Sequence, residues 1–306
     1  MKDLPTSPPV IEQHIFSQKT QQIAISPHQK ILNSLFSNTF MVGTSLAIAL
    51  DNKSIEEHPV IKLVNLCMVY RTAYMETMAL DDINLHIRKG EFVAVMGPSG
   101  CGKSTLLNIV GMIDTPASGE YWFDGQEIAK RSENALVDLR KRNIGFIFQN
   151  FNLIDDLSVA ENVDLPLLYL GLSRGERKQK VAEALALVGL ENRARHKPQE
   201  LSGGQQQRVA VARSVVGNPK LILADEPTGN LDTKNGDDVM QMLAMLKSRG
   251  TTILMVTHSP EHGARADRII YMLDGRIDAR IDARVDTGVD TRIDARLEGR
   301  MLGEAQ

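Results

Sequence analysis

The sequence predicts an α/β fold: a mostly parallel sheet flanked by helices, with a helical subdomain inserted part-way along the chain. Three observations lead there. From about residue 60 onward, short β-branched runs alternate with amphipathic helical stretches, as in a parallel sheet covered on both faces. Between about residues 150 and 214 the strand signal disappears and helical patterns dominate. A glycine-rich turn at 97–104 joins an apolar strand-like run to an apolar helix-like run. With 306 residues, 42% of them hydrophobic, the chain can bury a full core. One domain of about 200–250 residues with extensions is the expected organisation.

The elements follow in order. Residues 1–59 read as an N-terminal extension with little fixed structure. Within it, residues 31–50 are mostly apolar but interrupted by Asn33, Asn38, Gly43 and several hydroxyl residues. A spanning helix wants about 20 predominantly apolar residues, so a peripheral extension is favoured over a membrane span. No A-x-A-like cleavage signal stands out, and Met41 is a candidate for the true start of translation. Runs 92–96, 221–224, 252–256 and 268–272 read as strands. Val239, Met242, Leu243 and Leu246 recur at helical spacing, as do Val181, Leu185 and Val188, and read as core-facing stripes. Pro166 and Pro198 delimit helices in the middle section. Residues 277–306 carry a degenerate four-residue repeat, Ile-Asp-Ala-Arg and its relatives. It reads as a tandem expansion with no required role, and an oligomerisation or docking tail is the alternative.

Composition narrows the partners. A formal charge of −3 gives no bulk attraction to nucleic acid, and no nucleic-acid partner is expected. Cys67 and Cys101 are too few for a disulfide framework and fit a reducing compartment. Cys101 lies beside a helix N-terminus. It is open to two readings, a reactive thiol or simply a small residue that fits.

The turn itself, Gly97-Pro98-Ser99-Gly100-Cys101-Gly102-Lys103-Ser104, is a complete G-x-x-x-x-G-K-[ST] phosphate-binding loop, with Thr105 continuing into the helix. Glycines let the backbone wrap a triphosphate so that N–H groups converge on it, and the helix N-terminus adds partial positive charge. Lys103 is expected on the β- and γ-phosphates, and Ser104 on magnesium. The expected fold class is thereby a P-loop NTPase core that binds a nucleotide with Mg2+, and the loop alone leaves many NTPase families open. A second cluster, 221–226, is an apolar strand ending in Asp225 and Glu226. Asp225 is placed to serve the magnesium shell, and Glu226 an attacking water. A third, Leu201-Ser202-Gly203-Gly204-Gln205, opens another helix with Ser202 as N-cap. It is a second anion-binding helix end. One ATP rarely needs two, so the economical solution is a homodimer in which each chain covers its partner's nucleotide.

These motifs together resemble the ATP-binding-cassette (ABC) ATPases, from about residue 60 to 276. The resemblance implies an antiparallel β portion beside the parallel core. It also implies roles for single residues. Gln149 corresponds to the glutamine that contacts magnesium and the lytic water, and His258 to the switch histidine at the γ-phosphate. Asp232 lies in the loop that crosses the dimer interface. Tyr70 corresponds to the aromatic that stacks on adenine, with Tyr74 as competitor. The catalytic set is then Glu226, His258, Gln149 and Lys103, and the metal set Ser104, Gln149 and Asp225. The wording of 145–149 and 224–232 is similar to the subgroup serving lipoprotein release and macrolide or peptide export. That likeness implies a peripheral ATPase on the cytoplasmic face of the inner membrane. Its partner would be an integral permease with an extracytoplasmic domain, with a periplasmic adaptor as a further candidate. A mechanotransmitter that moves no substrate uses the same residues and is the alternative. A soluble DNA-repair or translation ATPase is disfavoured, because the chain has one motif set and a compact insertion. Phe148, Phe151, Leu153 and Leu157 are read either as a groove for a partner helix or as packing of the helical subdomain.

Overall fold

The computed structural model describes residues 58–71 and 74–278 with their side chains, and the backbone of 283–284. The apolar segment 31–50 and the repeat beyond 284 lie outside the described residues. Among those described, no helix is long and apolar enough to cross a membrane.

Two sheets form the scaffold. The larger contains β3 (Phe92–Met96), β6 (Ile144–Phe148), β7 (Leu221–Asp225), β8 (Thr252–Val256) and β9 (Arg268–Leu273), in the spatial order β9-β3-β8-β7-β6, all parallel. The smaller is antiparallel, in the order β2-β1-β4-β5, from β1 (Ile61–Arg71), β2 (Glu76–Ile87), β4 (Ser118–Phe123) and β5 (Gln126–Glu127).

Strands β3 and β8 are buried at every position and β7 at all but its last, as parallel strands covered on both faces should be. Alternation divides their side chains between two cores. Val93, Val95, Leu221, Leu223, Leu254 and Val256 face one core. It is completed by helix α1 (Lys103–Val110) and the antiparallel sheet. Phe92, Ala94, Ile222, Ala224, Ile253 and Met255 face the other. That core is closed by α3 (Val159–Tyr169), α4 (Arg174–Leu187), α5 (Gly203–Val215) and α6 (Thr233–Ser248). Helix α2 (Glu133–Asn143) precedes β6. The stripes Val181, Leu185, Val188 and Val239, Leu243, Leu246 are buried here, while Met242 is only partly so.

Segment 150–214 contains α3, α4 and most of α5 together with two short 3-10 turns, and no strand. Ser158 with Glu161, and Ser173 with Glu176, form reciprocal capping boxes that start α3 and α4. Strands β7 and β9 each run one residue beyond their expected ends, to Asp225 and Leu273. The repeat enters the sheet: β10 (Arg276–Ile277) and β11 (Ala283–Arg284) pair antiparallel with the outer edge of β9. An edge strand presents unpaired N–H and C=O groups, and the backbone of the repeat meets them.

Register positions the functional loops. Phe148 lies opposite Asp225, Asp225 opposite Val256, and Val256 opposite Val95. Strands β6, β7 and β8 therefore end on one transverse line, and β3 one residue beyond it. Gln149, Glu226, His258 and Gly97 follow within two residues of that line, at the edge where open α/β sheets present their sites.

Candidate active site

Gly102 stands at the N-cap of α1 in a left-handed conformation (φ 99°) and caps it without a side chain. A β-carbon there would lie 2.4 Å from the Ala79 carbonyl oxygen, and one at Gly97 would lie 2.1 Å from that of Met272. Both positions therefore require glycine. The first turn of α1 carries no acidic residue, and by helix geometry its leading N–H groups lack internal acceptors. Into this mouth reaches Lys103. It is buried, and Nζ donates to the carbonyls of Gly97 (2.9 Å) and Pro98 (2.7 Å). Pro98, Ser99, Gly100 and Ser104 are exposed, while Thr105 is half-buried. Cys101 is buried with Sγ 3.8 Å from Lys103 Nζ, which favours the small-residue reading over an accessible thiol.

Glu226 follows β7 in a left-handed conformation (φ 45°), its N–H donating to the Val256 carbonyl (3.0 Å). Its Oε1 lies 2.8 Å from His258 Nε2. Asp225 is half-buried. Burial first and the Glu226 carboxylate second hold its carboxyl above the usual range, with Lys103 and His258 pulling the other way. Four groups from three loops thus share one electrostatic neighbourhood. Gln149 joins from β6: its Nε2 donates to Asn230 Oδ1 (3.3 Å), and Asn230 Nδ2 donates to the Gln149 carbonyl (3.1 Å) and to Asn150 Oδ1 (2.8 Å).

Tyr70 is 41% exposed and Tyr74 fully so. The Tyr70 hydroxyl donates to Asp114 Oδ2 (3.1 Å) and is coupled to Thr105, while burial pushes its phenol pKa up. Tyr70 is thereby tied to the first turn of α1.

The 202–205 turn has different neighbours. Ser202 Oγ accepts from the Gln205 N–H (3.3 Å) and Gln205 Oε1 accepts from the Ser202 N–H (3.0 Å), a reciprocal capping box on α5. A β-carbon on Gly203 would meet only Phe151 and Leu231 at van der Waals distance, whereas one on Gly204 would lie 2.1 Å from Asn235 Oδ1. Asp232 caps α6, accepting from the Asn235 N–H (2.9 Å) and its side-chain amide (2.7 Å). Those two bonds hold its carboxyl below the usual range. Within one chain, Asp232 is therefore a helix cap.

Phe148, Phe151, Leu153 and Leu157 are each half-buried, and Leu153 packs against the helical core. The strongly exposed apolar side chain of this loop is Ile154, which sequence reasoning passed over. Phe148 stacks on Phe146 (centroids 5.6 Å apart). Phe151 and Asn152 both adopt left-handed backbone (φ 61° and 48°), and Arg213 donates to both of their carbonyls. A cavity of about 260 Å³ opens beside β6, with Phe146, Phe148, Pro166, Lys141, Arg142 and Arg213 in its wall. Asp114, Arg213, Gln207, Thr228 and His262 also escaped the sequence reading. Each acts on a residue remote in the chain, and no local spacing announces that.

The donor set fits magnesium of the kind held largely by substrate phosphates. Among the described residues no group of three or more His, Cys, Asp or Glu side chains could cage a metal. One half-buried carboxylate, Asp225, raised in pKa by burial and its acidic neighbour, is what such an ion would relieve.

The family profile described as ABC transporter matches residues 80–229. An uncharacterized ABC transporter ATP-binding protein of Bacillus subtilis, YvrO, is 46% identical over 215 residues, 70% of this chain and 94% of its own. The macrolide export ATP-binding/permease protein MacB of Brucella melitensis is 44% identical over 219 residues, 72% of this chain and 34% of its own. Among solved structures, the dimeric post-hydrolysis state of the ATP-binding cassette MJ0796, bound to ADP and Pi, superposes with a TM-score of 0.69. It is 43% identical and covers 75% of this chain and 100% of that one. The chain belongs to the ABC transporter ATP-binding proteins and is an ATPase of that family.

Proposed function

We propose that this ATPase powers export through a separate membrane permease and works as a homodimer that shares its two nucleotides. The observation that carries the proposal is the unlike construction of two helix N-termini in one chain. The mouth of α1 is uncapped and holds Lys103. The mouth of α5 is self-capped, but Ser202 Oγ there accepts a hydrogen bond and so keeps its own hydrogen for an outside acceptor. Lys103, Ser104 and the loop amides of one protomer hold ATP by its phosphates. Tyr70 stacks on the base, and Ser202 with the Gly203 and Gly204 amides of the other protomer closes on the γ-phosphate. Glu226 orients or deprotonates water for in-line attack, with His258 beside it, and Lys103 balances the charge moving onto the transferred group. Magnesium, held by Ser104, Asp225 and Gln149, would supply charge neutralisation across the phosphates. Loss of the bridging γ-phosphate lets the protomers part.

Export is supported by the relatives. MacB is named as a macrolide export protein, and MJ0796 is described as dimeric with ADP and Pi. The permease side is supported by the basic, aromatic-floored cavity beside β6, next to the Gln149 loop. Mixing tests the shared site. A Ser202→Ala protein and a Lys103→Ala protein should each be nearly inactive in ATP hydrolysis. Their mixture should regain activity, because one of its two composite sites is whole. Mixtures as dead as their components would overturn the reading.

A further inference from the structure

The turn that carries Glu226 is held from three sides. On the first, Gln207 of α5, fully buried, donates from Nε2 to the Pro227 carbonyl. On the second, the Gln149 side chain lies so close over Gly229 that a β-carbon there would come within 2.7 Å of Nε2. The third is a side-chain bond that spans two loops: Thr228 Oγ1 lies 2.9 Å from His262 Nδ1.

His262 sits on the single-turn helix α7 (Pro260–Gly263), four residues beyond His258. Its N–H donates to Ser259 Oγ (3.3 Å), and the Ser259 N–H donates to Thr257 Oγ1 (3.1 Å), so the turn after β8 is bonded along its length. Behind it, α6 closes the node. A β-carbon on Gly236 would stand 3.6 Å from Thr228 Cβ and 3.8 Å from His262 Cε1. Arg265 pairs with Asp237 of α6 and with Glu261. On the other side of the bond, the Gly229 N–H donates to the Glu226 carbonyl (3.0 Å), closing a tight turn with Thr228 inside it.

The bond therefore joins the same two turns that meet a second time at the Glu226–His258 contact. A left-handed glutamate (φ 45°) is a conformation that persists only where the surroundings over-determine it. We infer that His262 is a positioning residue for hydrolysis: through Thr228 it sets the Glu226 turn relative to the turn that presents His258. Either neutral tautomer serves, because the threonine hydroxyl both donates and accepts. The inference rests on the reading of Glu226 as the base.

Steady-state ATP hydrolysis by the full chain tests it. His262→Ala and Thr228→Val should each lower kcat by roughly three- to tenfold, the loss of one hydrogen bond, with KM for ATP unchanged. His262→Asn, whose amide can occupy the place of Nδ1, and Thr228→Ser should keep most of the parental kcat. The double variant His262→Ala with Thr228→Val should be no slower than either single one, because both remove the same bond. A raised KM at parental kcat, fully multiplicative losses in the double variant, or His262→Asn as slow as His262→Ala would each overturn the positioning role. If His262→Ala does not fold, the Thr228→Val and Thr228→Ser pair carries the same test. Glu226→Gln, assayed alongside, separates the two readings. An inert Glu226→Gln protein beside a normal Thr228→Val protein sinks the positioning role alone, and a Glu226→Gln protein at parental rate sinks the base assignment beneath it.

Discussion

The N-termini of α1 and α5 are both glycine-bearing helix mouths, yet they are finished in opposite ways. At α1 the cap is a left-handed glycine with no side chain, and a buried lysine fills the space in front. At α5 a serine and a glutamine satisfy each other's backbone donors, and the helix is complete without a ligand. The first mouth leaves its donors orphaned and lines them with a cation, so an anion completes it. The second is stable alone and offers one hydroxyl hydrogen outward, which suits a site that must close and reopen on a phosphate held by another chain. On the proposed reading, permanent grip and reversible contact call for different local chemistry from the same starting motif.

The contrast can be broken or sharpened by substitution. The largest effect is expected beyond both mouths, at Glu226. Glu226→Gln should lower kcat by about 10²–10⁴-fold, as for loss of a general base, with ATP binding intact and an ATP-trapped dimer visible by size-exclusion chromatography. At the mouths, Lys103→Ala should weaken ATP binding to the isolated subunit by about 10–100-fold, the loss of charge-assisted hydrogen bonds. Ser202→Ala should leave that affinity unchanged by calorimetry, because in the proposed dimer the phosphate it meets belongs to the partner. Equal losses would erase the distinction.

Within α5, Gly204→Ala should destabilise the fold by about 1–3 kcal/mol through overpacking on Asn235, whereas Gly203→Ala has room. Thermal melts that place both alike would show that the turn yields. The smallest effect on stability concerns Asp225. Its native pKa lies above the unfolded value, so the native state binds more protons and this residue's contribution to stability falls as pH rises through the native pKa. Asp225→Asn should therefore melt a few degrees higher or less at pH 7, with the gain vanishing in acid, while hydrolysis is lost. A gain that grows on acidification would contradict the sign.

Much of the site was legible in the chain because its chemistry is local. The phosphate loop needs a strand, a turn that glycine alone can make and a helix in immediate succession. The Asp225–Glu226 pair needs only an apolar strand before it. The strand assignments at 92–96 and 252–256 coincide with β3 and β8, since a strand covered on both faces must be apolar at every position. Where burial is one-sided or contacts are distant, reading along the chain failed. Leu153 and Ile154 are adjacent and both apolar, and nothing in their spacing says that Leu153 packs inward while Ile154 is exposed. Asp232 is expected in a loop that crosses a dimer interface, and nothing in its spacing says that within the chain its carboxylate also caps a helix through Asn235. The start of the repeat, set apart by its period of four, supplies backbone to β9, because an open strand edge attracts any chain of suitable reach.

Residue order alone singled out the candidate phosphate loop, the two glycine-bearing helix ends and the carboxylates that follow an apolar strand, because each depends on neighbours within a few positions. The tertiary structure decided which of those pieces meet. The register that aligns Phe148, Asp225, Val256 and Val95 brings Lys103 together with Glu226 and His258, which lie more than 100 residues further along the chain. It also ties Thr228 to His262 and leaves the Ser202 turn among Phe151, Leu231 and Asn235. Such meetings arise from sheet pairing and core packing, and these depend on the whole chain at once.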